Sequence, residues 1–145
     1  CAAGLEFSQV LENALGFRDR MHTYFVLETL DTLRKNGRLK GVKAVVATAL
    51  NIKPVMGATQ DGNIQQLGQA RGIKKALAKL TDEVVKDLKD SKEKILAISH
   101  CNCRERAEYV RETLMKKAEF KDTIILDTAG ISSMYAADGG VIVVV

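Results

Sequence analysis

One stretch in the middle of the chain constrains the fold more than any other. Residues 54–70, PVMGATQDGNIQQLGQA, form two strand-like runs around a turn that carries Asp61 and Gly62. An Asp-Gly pair between two such runs is a typical β-hairpin signal, because both residues tolerate the positive φ of a tight turn. The sheet of this protein is therefore expected to contain antiparallel pairing.

Strands and helices alternate on both sides of this hairpin. Residues 22–27 are typical of a strand, and the apolar runs KILAIS, TIIL and VIVVV predict buried strands. Apolar residues recur every three or four positions between them, which predicts amphipathic helices. Four of these helices cover residues 7–17, 42–50, about 72–90 and 103–118. A further short helix has Leu30 and Leu33 inward and ends at Gly37. We therefore predict an α/β fold, a mixed β-sheet with a central hairpin flanked by amphipathic helices.

The length and composition suit one globular domain over residues 1–145. The chain has 145 residues, of which 46% are hydrophobic and 28% charged, and it starts at Cys1, as an excised or processed chain would. Its net charge of +4 is spread in mixed signs over predicted helices, which predicts no nucleic-acid surface. No apolar run is long enough for a membrane span. An odd number of cysteines, three, favours a reducing cytoplasm.

The segment SHCNCRER is the most reactive-looking cluster. It places His100, Cys101 and Cys103 where a strand turns into a helix, and a helix N-terminus lowers the pKa of a thiol. A structural zinc site needs four ligands, however, and His22 is the only other histidine. The alternative is a strand-end histidine with two small filling side chains. We predict neither a metal nor a cofactor.

Two basic segments indicate a surface that faces anions. Arg38 lies between two glycines in RKNGRLKG, and Arg71 precedes a predicted helix whose first turn carries Lys74 and Lys75. Cations in a first helical turn oppose the helix dipole unless something anionic is nearby. The alternative is a set of solvated side chains. Because no phosphate-binding loop, dinucleotide fingerprint or nucleophile elbow occurs, we expect a binding protein rather than an enzyme.

Five stretches in order give the chain a family resemblance. YFVLETLDTLRKNGRL, ALNIKPVMGATQDGNI, ARGIKKALAKL, ISHCNCRERAEYV and GISSMYAADGGVIVVV resemble the C-terminal domain of DegV-family proteins from about residue 21 onward. The resemblance implies a bacterial two-domain protein of the EDD fold that binds one long-chain fatty acid between its domains. It further implies that the acyl carboxylate is presented to a separate fatty-acid kinase, in phospholipid metabolism, and that the N-terminal domain is missing here.

The resemblance also implies roles for individual residues. Arg38 and Arg71 match family arginines associated with docking the kinase or with the head-group region. Family members usually end in a T-H-T-G-P-G stretch whose His helps to hold the carboxylate. Aligned through Ile131, Ser133 falls on the first Thr and Met134 on the His.

In that alignment Ala136 and Asp138 fall on the family glycines, so the imidazole is lost and a hydroxyl is kept. The expected ligand-binding residues are Arg38, Ser132, Ser133, Met134 and Tyr135. Whether Ser133 or Tyr135 holds the head group in place of the imidazole stays open. Met134 would then extend the apolar tunnel as a flexible filling side chain.

Two alternatives come from other classes of function. One is a small hydrolase or transferase with Ser132, Ser133 or Cys101 as its nucleophile, although no candidate base lies beside them in the sequence. The other is a lipid-independent protein-interaction domain that presents Arg38 and Arg71 on one basic face.

Overall fold

A six-stranded mixed sheet forms the centre of the structure. The computed structural model describes residues 4–39 and 51–145. Its elements are α1 (Phe7–Arg20), β1 (Thr23–Val26), α2 (Asp31–Lys35), β2 (Ile52–Ala58), β3 (Ile64–Arg71), α3 (Ile73–Asp87), a 3₁₀ turn (Ser91–Glu93), β4 (Ile95–His100), α4 (Arg104–Met115), β5 (Asp122–Asp127), α5 (Gly130–Ala136) and β6 (Val141–Val144). The strand order is β3-β2-β1-β6-β4-β5, and β4 and β5 pair in parallel while the other neighbours are antiparallel. The predicted mixed α/β fold is confirmed.

The predicted hairpin is β2 and β3. The two strands pair antiparallel from Ile52 opposite Arg71 to Ala58 opposite Ile64, with a bulge between Val55 and Met56. Gly62 in the connecting turn has a φ of 77°, a conformation that glycine adopts without strain. The hairpin is central in the sequence but forms one edge of the sheet.

The main core lies between the sheet and the helices α3 and α4. Side chains at helical spacing, such as Leu77, Leu80 and Val84 of α3, are almost completely buried against Leu96 and Ile98 of β4. Each such side chain contributes about 1.5–3 kcal/mol when it leaves water. The two helices were both predicted, although α4 is shorter than the predicted segment and its N-cap is Cys103.

A smaller cluster covers part of the opposite face of the sheet. The short helices α2 and α5 pack there, and Leu30 and Leu33 point inward as predicted. Gly37, with a φ of 67°, follows α2 in the predicted position. The buried members of this cluster are Leu27, Leu30, Leu33, Met56 and Ala136.

The prediction that TIIL is a buried strand is wrong. β5 is the last strand in the sheet order, so it has a neighbour on one side only. Ile125 packs partly against the main core, whereas Ile124 and Leu126 on the opposite face are 38% and 58% exposed. An apolar run of this length predicts a strand, but it does not reveal whether both faces are covered.

The predicted first helix is present, yet its apolar side faces solvent. Phe7 is 79% and Phe17 is 66% exposed, and Leu11 and Leu15 are also exposed. α1 has no buried residue. The predicted helix over residues 42–50 lies outside the described residues. In the ranges 4–39 and 51–145, no helix has the length and apolar character needed to cross a bilayer.

Candidate functional site

The residues selected from the sequence lie at one edge of the sheet, which we call the site edge. β1, β3, β4 and β5 end there and β2 and β6 begin there, because His100 pairs with both Val141 and Asp127 and Arg71 pairs with Ile52. Arg71 is the last residue of β3, whereas Arg38 follows α2 and α5 follows β5. The segments that contain Arg38, Arg71, His100 and α5 thus converge on this edge.

In the described part of the chain, the two arginines make no polar interaction with the serine-containing segment. Both Arg38 and Arg71 are exposed. Within the described ranges, no hydrogen bond or ion pair joins either arginine to α5. Their role as a docking surface stays a prediction.

The segment ISSMYAADGG contains a short helix, which the helical periodicity of the sequence did not predict. Residues 130–136 form α5, in which the N–H of Ala137 donates to the carbonyl of Ser133 at 3.0 Å. The stretch ISSMYA contains no proline or internal glycine that would prevent a helical turn, and Gly130 enters it with a φ of 51°. The hydroxyl and glycine content of this stretch does not distinguish a loop from a short helix.

The helix divides the predicted ligand residues between two sides. Ser133 faces inward, where its Oγ lies 2.8 Å from the Oγ1 of Thr128, and Tyr135 packs on the smaller cluster. Ser132 and Met134 face outward, and Met134 is 52% exposed. Neither an imidazole nor a carboxylate in the described residues hydrogen-bonds to Ser132 or Ser133. The geometry therefore gives no support to a serine nucleophile.

The turn between α5 and β6 requires its two glycines. A Cβ on Gly139 would lie 2.5 Å from the Nη1 of Arg106, and one on Gly140 would lie 2.3 Å from the carbonyl oxygen of Ala136. The backbones of Gly139 and Gly140 also exchange hydrogen bonds with Cys101, at 2.8 and 3.0 Å. The two glycines are thus buried against the site edge.

Backbone conformation offers a second register with the family glycines, beside the alignment through Ile131. Ala136, which aligns with the first glycine through Ile131, is the last residue of α5. The positive φ values lie one residue later, 55° at Ala137 and 84° at Gly139, and they have the G-x-G spacing. Because glycine is the residue suited to positive φ, this register places Tyr135 at the position of the family His.

An ionic network at the site edge was not found by sequence reasoning. The carboxylate of Glu28 forms ion pairs with the Nζ of Lys53 at 2.6 Å and with the Nη1 of Arg106 at 2.8 Å. The same Nη1 donates to the carbonyl of Gly139 at 2.7 Å, and Lys53 also donates to the carbonyl of Glu28 at 2.8 Å. Lys53 lies in the quoted stretch ALNIKP, but nothing in the sequence pairs it with a distant glutamate.

Burial and hydrogen bonding act in opposite directions on this carboxylate. Partial burial of Glu28 favours its neutral form, but hydrogen bonds from Lys53 and Arg106 favour the anion and outweigh that effect. The pKa of Glu28 therefore lies below its usual range. The Glu28 carboxylate is therefore ionised at neutral pH.

In the segment SHCNC, the side chains of His100 and Cys103 hydrogen-bond with the backbone. The Nδ1 of His100 accepts from the N–H of Cys103 at 3.4 Å, and the thiol of Cys103 donates to the carbonyl of Gly140 at 3.4 Å. Burial raises the pKa of Cys103, contrary to the lowering expected at a helix N-terminus. The Nε2 of His100 is buried without a hydrogen-bond partner among the described residues. In those residues, no three His, Cys, Asp or Glu side chains are grouped for a metal ion.

A strip of small and mostly apolar side chains, which we call the trough, lies on the sheet face opposite the main core. Directly paired residues share a face, so Ser99 lies beside Ile142 and Leu126, and Ala97 lies between Val144 and Ile124. The small side chains of β4 form the floor, with larger apolar ones on both sides. The trough (Ala97, Ser99, Ile124, Leu126, Ile142 and Val144) points away from the main core, which holds Leu96 and Ile98.

Comparison with known proteins shows the family. A model described as an uncharacterised protein of the DegV family matches residues 1–145. A DegV domain-containing protein of Streptococcus pneumoniae is 35% identical over 141 residues, which is 96% of this chain and 49% of that protein. The chain belongs to the DegV family, which confirms the resemblance.

Solved structures agree with this fold. A DegV-family protein from Ruminococcus gnavus, refined with vaccenic acid, is 54% identical with a TM-score of 0.94, over 99% of this chain and 51% of that one. The fatty acid kinase (Fak) B3 protein of Streptococcus pneumoniae, loaded with linoleic acid, is 31% identical with a TM-score of 0.84, over 98% of this chain and 50% of that one. This chain spans about half the length of the relatives that it matches.

Proposed function

We propose that this chain is the C-terminal half of a two-domain protein that binds a long-chain fatty acid. The acyl tail lies along the trough, and the carboxylate lies at the site edge beside α5. The protein is not itself an enzyme; it presents the carboxylate to a fatty-acid kinase in the bacterial cytoplasm, for phospholipid metabolism. The open apolar trough beside a hydroxyl-bearing helix is the observation that carries this proposal.

The trough suits an acyl tail for a simple energetic reason. Each methylene removed from water contributes about 0.8 kcal/mol, so a long tail gains most of its affinity from apolar contact. Ala97 and Ser99 leave room above β4, while Ile124 and Leu126 stay exposed on one wall. One sheet face covers only one side of a tail. The chain alone is therefore expected to bind fatty acid poorly, and a second domain is needed to enclose it.

The head group is assigned to the inward side of α5. Tyr135 occupies the position that the positive-φ register gives to the family His, and its phenol can donate a hydrogen bond to a carboxylate. Ser133 already shares one hydrogen bond with Thr128, but a hydroxyl has capacity for further bonds. Met134, on the outward side, is better placed to contact the tail or the second domain.

Arg38 and Arg71 are assigned to docking the kinase. Both are exposed at the site edge, where the head group would be presented. An arginine pairs with two oxygens at once, which suits an acidic or phosphorylated partner. Charge reversal at Arg71 would weaken the interaction with the kinase and leave fatty-acid affinity unchanged, whereas charge reversal at Arg38, which is also expected to bind the ligand, would weaken both.

The direct test uses the two-domain protein. Mass spectrometry of lipid extracted after purification, followed by titration with oleic acid, should show one long-chain fatty acid per molecule. Residues 1–145 alone, titrated under the same conditions, serve as the matched comparison and should bind much more weakly. If the two-domain protein carries no lipid and binds none, the proposal is wrong.

A further inference from the structure

One arginine connects the main helical layer with the double-glycine turn. Arg106 lies in the first turn of α4, and its side chain is 30% exposed. Its Nη1 donates both to the carbonyl of Gly139 and to the carboxylate of Glu28, at 2.7 and 2.8 Å. A single guanidinium thus holds one backbone carbonyl and one acidic side chain together.

Glu28 is in turn fixed from the other side. Lys53, only 16% exposed, contacts both the carboxylate and the backbone carbonyl of Glu28. Glu28 follows β1 and Lys53 lies in β2. Their contacts therefore fix the position of Arg106 relative to the sheet. Charge-assisted hydrogen bonds of this length are among the stronger polar contacts in proteins.

The turn that Arg106 holds is continuous with α5. The N–H of Gly140 donates to the carbonyl of Ala137 at 3.2 Å, and the N–H of Ala137 donates to the carbonyl of Ser133 at 3.0 Å. A Cβ on Gly140 would lie 2.3 Å from the Ala136 carbonyl oxygen, so the turn and the last residue of α5 are in close contact. A shift of the turn therefore moves Ser133 and Tyr135.

We propose that Arg106 is a positioning residue for the fatty-acid carboxylate, acting through the Gly139–Gly140 turn on the hydroxyls of α5, with Glu28 and Lys53 holding Arg106 in place. The inference rests on the proposed function, since it assumes that α5 receives the head group. Arg106 itself need not touch the ligand. The Nη1 of Arg106 already contacts a carbonyl and a carboxylate, and the carboxylate of Glu28 offsets part of its charge, which lowers its attraction for a second anion.

The experiment compares two ligands that differ only in the head group. The affinities of oleic acid and oleyl alcohol are measured for the two-domain protein and for Arg106→Gln, Arg106→Lys and Glu28→Gln, together with thermal unfolding. Arg104→Gln is the matched control, because Arg104 lies on the same helix and pairs with Glu108 at the surface. The measurements are repeated at low and high salt.

A positioning role predicts a change in the ratio of the two affinities. Arg106→Gln should weaken oleic acid about tenfold, the equivalent of one hydrogen bond to a charged group, and weaken oleyl alcohol far less. Arg106→Lys should recover part of the loss, and Glu28→Gln should give a smaller change in the same direction. The effect should persist at high salt, because salt screens a direct long-range attraction but does not screen a change in geometry. Arg104→Gln should leave the ratio unchanged.

Other results would overturn the inference. An unchanged ratio, or equal weakening of both ligands together with lower thermal stability, would mean that Arg106 is merely structural. Loss of the effect at high salt would mean a direct charge interaction instead. If Arg106→Gln does not fold, Arg106→Lys and Glu28→Gln decide by the same ratio. If the unaltered protein binds neither ligand, the proposed function itself fails, which is a result distinct from binding with an unchanged ratio.

Discussion

Ala137 and Gly139 lie two residues apart in the turn after α5, and both have a positive φ. Gly139 adopts its value of 84° without a steric cost, whereas Ala137 has a φ of 55° and a ψ of 170°, which glycine occupies far more readily than alanine. Strain of this kind costs about 1–3 kcal/mol per residue. The turn beside the candidate head-group site therefore holds one strained residue.

Replacing Ala137 by glycine should stabilise the protein. We expect Ala137→Gly to raise the free energy of unfolding by about 1 kcal/mol, because relief of strain exceeds the added freedom of the unfolded chain. Urea denaturation measures the change. Ala136→Gly, one residue earlier and inside α5, is the matched control and should lower stability by about 1 kcal/mol. Lower stability of Ala137→Gly would show that the turn is not strained.

Tyr135 and Met134 can be separated by their effects on binding. We expect Tyr135→Phe to weaken oleic acid binding by the two-domain protein about tenfold, because it removes one hydroxyl that donates to a charged group. Met134→Leu keeps the volume and apolar character, so it should change the affinity little. Calorimetric titration distinguishes the two. The opposite pattern would favour the register that aligns Met134 with the family His.

Filling the trough should shorten the acyl chain that the protein accepts. Ala97→Phe places a large ring between Val144 and Ile124, on the face away from the main core. We expect affinity for a long-chain fatty acid to fall at least tenfold, because several methylenes lose their contact at about 0.8 kcal/mol each. A series of fatty acids of increasing length, titrated into both proteins, measures this. An equal loss for short and long chains would argue against a tail in the trough.

The ionic network should give stability a defined pH dependence. The pKa of Glu28 is lowered in the folded protein, so its contribution is present above the unfolded value, about 4, and is lost as the pH falls through the folded value. Glu28→Gln removes this contribution. We expect it to lower stability at pH 7 by about 1–3 kcal/mol, and we expect this difference from the unaltered protein to shrink progressively as the pH falls below about 4. Denaturation over a series of pH values is the measurement, and a difference that does not shrink in acid would contradict it.

Much of the fold could be predicted because its signals are local. Asp61 and Gly62 determine the hairpin, and the spacing of Leu77, Leu80 and Val84 determines α3. The open face of β5 could not be predicted, because exposure depends on which helices cover that face of the sheet. α5 was missed because a helix of seven residues leaves little periodicity to detect.

The candidate site was predictable only in part, because only some of its residues are close together in the sequence. Tyr135 and Ser133 were selected because they belong to one contiguous motif. Glu28, Lys53 and Arg106 come from three distant segments, and each is an ordinary charged residue in its own surroundings. Their association follows from the pairing of β1 with β2 and the packing of α4, which no short stretch of sequence contains.

The solvent-facing apolar side of α1 has a practical consequence for the chain handled on its own. The side chains of Phe7, Leu11 and Phe17 expose apolar surface to water, and exposed apolar patches favour self-association. Residues 1–145 should therefore sediment faster as their concentration rises, and mild detergent should reverse this.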